Sequence, residues 1–285
     1  MPHLNLAGAT VLITGAAGGI GAASARALRD RGANLVLCDL DPAAVEAQAG
    51  ELGGERALGV GVDVTRRDQL DDAVAQAVAR FGGIDVVFAN AGITVDPPAS
   101  IAAVHERAFE RVVEVDLLGV WRTVRAALPQ VIERRGHVLV TASCYAFLNG
   151  MLNAAYAVSK AGVEQFGRAL RSELTPHGAT AGVLYPGWIE TAIVRSAFDR
   201  AATSGRLIER AFPAYLRQPI TPEQLAASIV TGIERRSARV VYPRRWIPVS
   251  LLRGLVNVVS DARLERDDEV ARLLGELPDH APVTG

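Results

Sequence analysis

Tyr156 and Lys160 occupy positions i and i+4 of the run Tyr156-Ala157-Val158-Ser159-Lys160, and Ser143 lies shortly upstream. Residues at this spacing share one face of a helix. A phenol has a pKa near about 10 and is a poor base at neutral pH. An ammonium held beside it stabilises the phenolate and lowers that pKa, which makes the phenol a usable proton donor and acceptor. The chemistry implied is proton exchange with a substrate oxygen. The spacing alone equally fits a chance pair on a helix, so its weight depends on the elements that would position it.

The first such element is the stretch Thr14-Gly15-Ala16-Ala17-Gly18-Gly19-Ile20-Gly21. It follows Thr10-Val11-Leu12-Ile13-Thr14, an apolar run that reads as a buried parallel strand. It precedes Ile20 to Arg31, where Ile20, Ala23, Ala27 and Leu28 recur at helical spacing. Strand, glycine turn and helix in that order form the context in which a turn binds pyrophosphate. Gly15 permits the tight turn, Gly19 lets the backbone approach the phosphates, and Gly21 lets the helix pack on the strand. The helix N-terminus adds free N–H groups and a positive dipole end. A plain glycine loop is the alternative. Asp39 ends the next apolar run, Asn34 to Asp39, where an acidic side chain can accept bonds from adenosine ribose hydroxyls. A carboxylate there repels a 2′-phosphate. Gly18 and Leu40 supply no compensating cation, so NAD(H) is expected over NADP(H).

With these motifs in this order, residues 7–243 closely resemble the short-chain dehydrogenase/reductase family. Thr14 to Gly21, Ile20 included, resembles the family's Thr-Gly-x-x-x-Gly-x-Gly. The resemblance implies that Asp63 and Val64 contact adenine, and that Asn90-Ala91-Gly92 closes the fourth strand and backs the ring. Ser143, Tyr156 and Lys160 fall on the family's catalytic Ser, Tyr and Lys. Tyr156 would exchange the proton, Ser143 would donate to the same substrate oxygen, and Lys160 would also bind the ribose at the nicotinamide end. Pro186-Gly187-Trp188-Ile189-Glu190-Thr191 resembles Pro-Gly-x-x-x-Thr, with Ile189 and Thr191 meeting the carboxamide. One position departs. Asp116 stands where the family usually has a fourth catalytic residue, an Asn that acts mainly through its main-chain carbonyl. Asp can present that carbonyl and can bond locally in a distorted helix.

The chain has 285 residues, 49% of them hydrophobic, enough for one large α/β domain. A net charge of −1 excludes a strong pull on nucleic acid. Met1 to Leu6 has no basic region followed by an apolar run, and no apolar stretch reaches membrane-spanning length. With only Cys38 and Cys144, a reducing, cytoplasmic setting is expected. His105, His137 and His177 show no metal-ligand spacing, so no metal is expected.

Strands are expected near 10–14, 34–39, 57–63, 84–89, 137–143, 180–185 and 239–242, alternating with helices. This is the pattern of a doubly wound seven-stranded parallel sheet with helices on both faces. One helix is expected over 107–133 and another over 154–176. Residues 1–243 then form one Rossmann domain. Within it, 192–218 is a long insertion of the kind that covers a substrate, although a surface helix pair also fits. Residues 244–285 are an apolar extension that packs on the domain, on a partner subunit or, less favoured, on a bilayer surface. Tyr145, Phe147, Leu148, Met151 and Trp188 are expected to line a bulky apolar pocket without an arginine clamp. The substrate expected is a hydrophobic secondary alcohol or its ketone, such as an aryl ketone, terpenoid, steroid or lipid alcohol. A homo-oligomer, tetramer or dimer, is expected. A membrane-surface lipid or steroid dehydrogenase and a non-catalytic NAD-binding regulator are the alternatives.

Overall fold

Continuous apolar runs dictate the centre of the molecule. The computed structural model describes residues 3–191 and 203–277. Among these, Thr10–Thr14 (β1), Asn34–Asp39 (β2), Ala57–Gly61 (β3), Val86–Ala89 (β4), His137–Thr141 (β5), Thr180–Pro186 (β6) and Arg239–Tyr242 (β7) form one parallel sheet. Its order is β3-β2-β1-β4-β5-β6-β7. Every residue of β1, β4, β5 and β6 is buried, as expected of strands covered on both faces. One cover consists of Gly19–Asp30 (α1), Pro42–Glu51 (α2) and Pro222–Glu234, whose Ala25, Leu28, Val45, Leu225 and Ile229 pack on it. The other contains Arg67–Phe81 (α3), with Leu70 and Ala73 turned to the sheet.

The expected helix over 107–133 is interrupted. Glu106–Val113 (α4) and Val120–Glu133 (α5) flank a π-helical turn at Glu114–Gly119. The apolar periodicity continues across the break, so nothing in the pattern marks it. The wider turn brings Asp116 into the interior, where it is fully buried. The other expected helix is Ala154–Glu173 (α6). Three strands end earlier on their carboxyl side or begin later than expected. β3 stops at Gly61 and β5 at Thr141, which leaves Asp63 and Ser143 on loops beyond the sheet, while β4 begins at Val86.

After β6 the chain leaves at Thr191 and returns at Ile220. Ile220 N–H donates to Trp188 O (3.0 Å) and Glu190 N–H to Ile220 O (2.9 Å), which pins the base of the insertion. Within it, Thr203–Ala211 (α7) and Ala214–Arg217 (α8) are helical; residues 192–202, with Phe198, lie outside the described residues. Pro222–Glu234 (α9) opens with a reciprocal Thr221–Gln224 cap. The extension continues as Ile247–Leu251 (α10), Arg253–Glu265 (α11) and Asp268–Gly275 (α12). It is rooted in the domain. Trp246 is wholly buried with its ring 5.2 Å from that of Trp188, and a Cβ on Gly187 would lie 2.5 Å from Trp246 Nε1. Arg253 Nη1 meets Glu164 Oε2 on α6 at 2.7 Å.

His137, at the start of β5, is buried with its Nδ1 2.8 Å from Thr180 Oγ1. Burial, with the charges of Arg236 and Arg171, pushes its pKa down from 6.5 to about 3. The unfolded chain therefore takes up a proton that the folded one refuses. The stability that neutral His137 preserves is present above pH 6.5 and is lost as pH falls toward about 3. The loss amounts to a few kcal/mol at about 1.4 kcal/mol per unit. His137→Gln should flatten this acid limb in urea melts run across that range. An unchanged slope would show that His137 does not set it.

Candidate active site

In this strand order β1 lies between β2 and β4, and the connections on its two sides run opposite ways. The loops beyond the carboxyl ends diverge there and leave a crevice. A cleft of ≈ 300 Å³ occupies it. Gly15, Gly18, Gly19 and Ile20 wall one side, and Asn90, Ala91 and Gly92 form its back. Thr141, Ser143, Tyr156 and Lys160 stand beyond them, and Pro186, Gly187, Ile189 and Thr191 close the far side.

The glycines are required by contact. Gly15 has φ +67°, and a Cβ there would lie 2.9 Å from Ala91 Cα. A Cβ on Gly21 would lie 1.9 Å from Gly15 O, so Gly21 sits behind the turn and permits α1 to pack. Asn90 stitches the crevice together. Its Nδ2 donates to Thr14 O (3.2 Å) and Gly15 O (3.3 Å), and its Oδ1 accepts from Thr141 Oγ1 (3.3 Å).

Asp39, Asp63 and Val64 are not walls of the cleft; they lie at the carboxyl ends of β2 and β3. Asp39 accepts from Ala17 N–H (2.9 Å) and Leu40 N–H (2.8 Å), which fixes its carboxylate against the glycine turn. Asp63 accepts from Thr65 N–H (2.9 Å) and Thr65 Oγ1 (2.8 Å). Burial works to raise the Asp63 pKa, but these bonds and the Arg111 and Arg66 charges outweigh it and hold the carboxyl below its usual range.

At the other end of the cleft, Lys160 and Asp116 are both buried, with Nζ 3.0 Å from Asp116 Oδ2. The contact is an ion pair rather than an aligned hydrogen bond. Lys160 Nζ also donates to Thr141 O (3.2 Å) and stands 5.3 Å from the Tyr156 ring centroid. Asp116 Oδ1 accepts from Ile93 N–H (2.7 Å). Burial raises the Asp116 pKa, with Lys160 and the Ile93 amide acting against it. The sequence suggests that Lys160 lowers the Tyr156 pKa. In the structure the phenol is instead pushed well above its ordinary value, first by burial and then by the Asp116 charge, while a hydrogen bond with Ser143 pulls it down. The Lys160 charge is matched by Asp116, so little of it is left to act on the phenol. Cys144, next to Ser143, is an inert thiol, pushed up to about 12 by burial.

Over the phenol lies an aromatic group. Tyr145 meets Tyr156 edge-on at 5.9 Å and lies 6.3 Å from both Trp188 and Phe212, which are 5.2 Å apart. Of the residues expected to line a substrate pocket, Tyr145 and Trp188 join this group, and Met151 packs beside α7. Phe147 does not face the pocket. It is buried against Tyr185 at 5.9 Å, and Leu148 packs on the same core, because a loop this close to the sheet buries its apolar side chains inward. The sequence reading did not find the Thr141 carbonyl or the Ile93 amide, since backbone groups carry no side-chain signal. It also did not place Leu264, which depends on contacts distant in sequence.

The cradle fits a dinucleotide, with a helix N-terminus and a side-chain-free turn at one end and the buried Tyr156 phenol at the other. Residues 9–202 match the short chain dehydrogenase family. The chain is 31% identical to D-beta-hydroxybutyrate dehydrogenase of Cupriavidus necator over 85% of its length and 96% of that protein's. It is 35% identical to momilactone A synthase of Oryza sativa subsp. japonica, over 67% of this chain and 70% of that one. The solved 3-ketoacyl-(acyl-carrier-protein) reductase of Brucella melitensis complexed with NADH superposes with a TM-score of 0.74 at 28% identity, covering 83% of this chain and 97% of that one. Sequence and fold agree, and the chain belongs to the short chain dehydrogenase family of oxidoreductases.

Proposed function

We propose that the protein interconverts a hydrophobic secondary alcohol and its ketone with NAD(H). The observation that carries the reading is that Ser143, Tyr156 and Lys160 line one cleft with the glycine turn, next to an aromatic wall. Bound NAD would supply the hydride acceptor. Gly15, Gly19 and Ile20 would hold its pyrophosphate, Asp39 its adenosine ribose, and Asp63, Val64 and Ala91 its adenine. Ile189 and Thr191 would hold the carboxamide. Tyr156 takes the alcohol proton in oxidation and returns it in reduction, Ser143 donates to the same oxygen, and Lys160 orients the cofactor ribose. The Asp39 carboxylate, held by the Ala17 and Leu40 amides, disfavours a 2′-phosphate. The similar ketoacyl reductase was solved with NADH, which supports the same cofactor here. The apolar wall is what favours hydrophobic alcohols and ketones.

A panel of hydrophobic secondary alcohols with NAD⁺ and NADP⁺ tests this, read as absorbance of the reduced nicotinamide. The expected kcat/KM with NAD⁺ exceeds that with NADP⁺ by over tenfold, since one unpaired charge repulsion exceeds about 1.4 kcal/mol. Tyr156→Phe should retain NADH binding and lose about 10²–10⁴-fold in turnover. Comparable use of both cofactors, or near-normal turnover without the phenol, would refute the respective part.

Asp116→Asn keeps an acceptor for the Ile93 amide and removes the anion that holds the phenol up. Oxidation needs the phenolate, so the rise of its rate with pH should move to lower pH. Plateau kcat should change by less than about fivefold, under about 1 kcal/mol. A hundredfold loss would instead make the carboxylate a proton carrier.

The reading includes a homo-oligomer, dimer or tetramer. Leu251, Leu252, Leu255, Val258 and Val259 stand 58–68% exposed along α10 and α11, a stripe that a second copy would cover. Light scattering should give a multiple of 30.1 kDa. A monomer that floats with liposomes would favour the membrane-surface alternative.

A further inference from the structure

The C-terminal helices reach the substrate side of the site. Leu207 on α7 is wholly buried in a cluster with Leu152, Val270 and Leu273, the last two from α12, and Met151 and Leu264 pack against it. Polar contacts run alongside. Arg210 Nε lies 2.6 Å from Asp267 Oδ2 and Arg206 Nη2 3.1 Å from Glu269 Oε1, and Asn149 Nδ2 donates to Asp261 Oδ1 (3.0 Å). The insertion after β6, the loop after Ser143 and the extension are therefore joined at one place. Between them is a small apolar cavity walled by Tyr145, Met151, Leu207, Ile208, Phe212 and, from α11, Leu264. Its free space is ≈ 10 Å³, about enough for one water. Tyr145 is shared with the ring contact on Tyr156, so this cavity abuts the proton-exchanging phenol.

We propose that α11 and α12 form the outer wall of the substrate site, that Leu264 sets its depth, and that the Asp267–Arg210 pair holds α7 against that wall. The inference rests on the alcohol dehydrogenase reading for its substrate class and adds a size limit imposed by the chain's own extension. A side chain on the carbinol that runs past Tyr145 must displace Leu264 or lift α7. Compact apolar alcohols fit without either movement. A pocket that gains or loses a few methylene groups discriminates by roughly 10–200-fold per methylene at the upper end.

The test compares Leu264→Ala and Leu264→Trp with the unaltered protein on 2-alkanols from 2-butanol to 2-decanol with NAD⁺. Leu264→Ala should raise the kcat/KM ratio of 2-decanol to 2-butanol by about tenfold or more, and Leu264→Trp should lower it, with the Kd for NADH unchanged. Parallel changes across the series in both variants would overturn the assignment of Leu264. Amide hydrogen exchange is the second readout and needs no substrate. Asp267→Asn preserves a good helix cap but removes the charge facing Arg210. Exchange over α7 should then quicken about two- to fivefold, the worth of one exposed ion pair, while β1 and α1 are unaffected. Leu264→Ala should quicken it also. If the panel gives no turnover, the alcohol dehydrogenase reading fails, and exchange over α7 still decides whether the extension holds the wall. Unchanged exchange in both variants would refute that.

Discussion

An ammonium and a carboxylate buried together at 3.0 Å are tolerated only where further hydrogen bonds support them. The interior of this protein is arranged around that demand. The π-helical turn brings Asp116 inward, the Ile93 amide takes its second oxygen, and the carbonyl of Thr141 takes a proton of Lys160. A Cβ on Gly92 would lie 3.0 Å from Asp116 Oδ2 and 3.2 Å from Lys160 Nζ, so the loop behind the cleft also gives the pair its room. Four segments distant in sequence are thus fixed relative to one another by one electrostatic requirement. The phenol that would exchange the proton is placed by the same arrangement.

The pair also changes the electrostatic role of Lys160. A free buried cation would draw protons off its neighbours, whereas a neutralised one contributes mainly position. The net field on Tyr156 is then dominated by burial and by the anion, with Ser143 opposing them. Substituting Asp for the Asn usual at this place is therefore more than a change of side-chain donor. It resets the charge of the site by one unit while keeping the local backbone turn.

Much of this was legible in the sequence, because strands buried on both faces leave uninterrupted apolar runs. The glycine turn was equally legible, since Gly15 and Gly21 meet backbone at distances no side chain allows. The break at Glu114–Gly119 was not, because a π turn leaves the apolar periodicity on either side intact. Asp116 could be flagged as unusual, but its carboxylate's partners come from the loop after β4 and from α6 and have no local signature. Phe147 was misplaced for a related reason: composition shows that a loop is apolar, not which side chains turn to the sheet. Of the extension, the sequence showed only that its apolar residues needed cover. Trp246 finds it beneath Trp188, whereas Leu255 and Val258 remain outside.

Trp246 beneath Gly187 has a consequence for the order in which the chain is made. The glycine turn, the Asn90 stitch and Tyr156 all leave the ribosome well before Trp246, Leu264 and Asp267. A nascent chain arrested between β6 and β7 would carry the cofactor cradle with no indole under the Trp188 loop and without the α12 contacts on α7. The Tyr156 end of the cleft is therefore completed last during synthesis, by residues that do not themselves line the cleft.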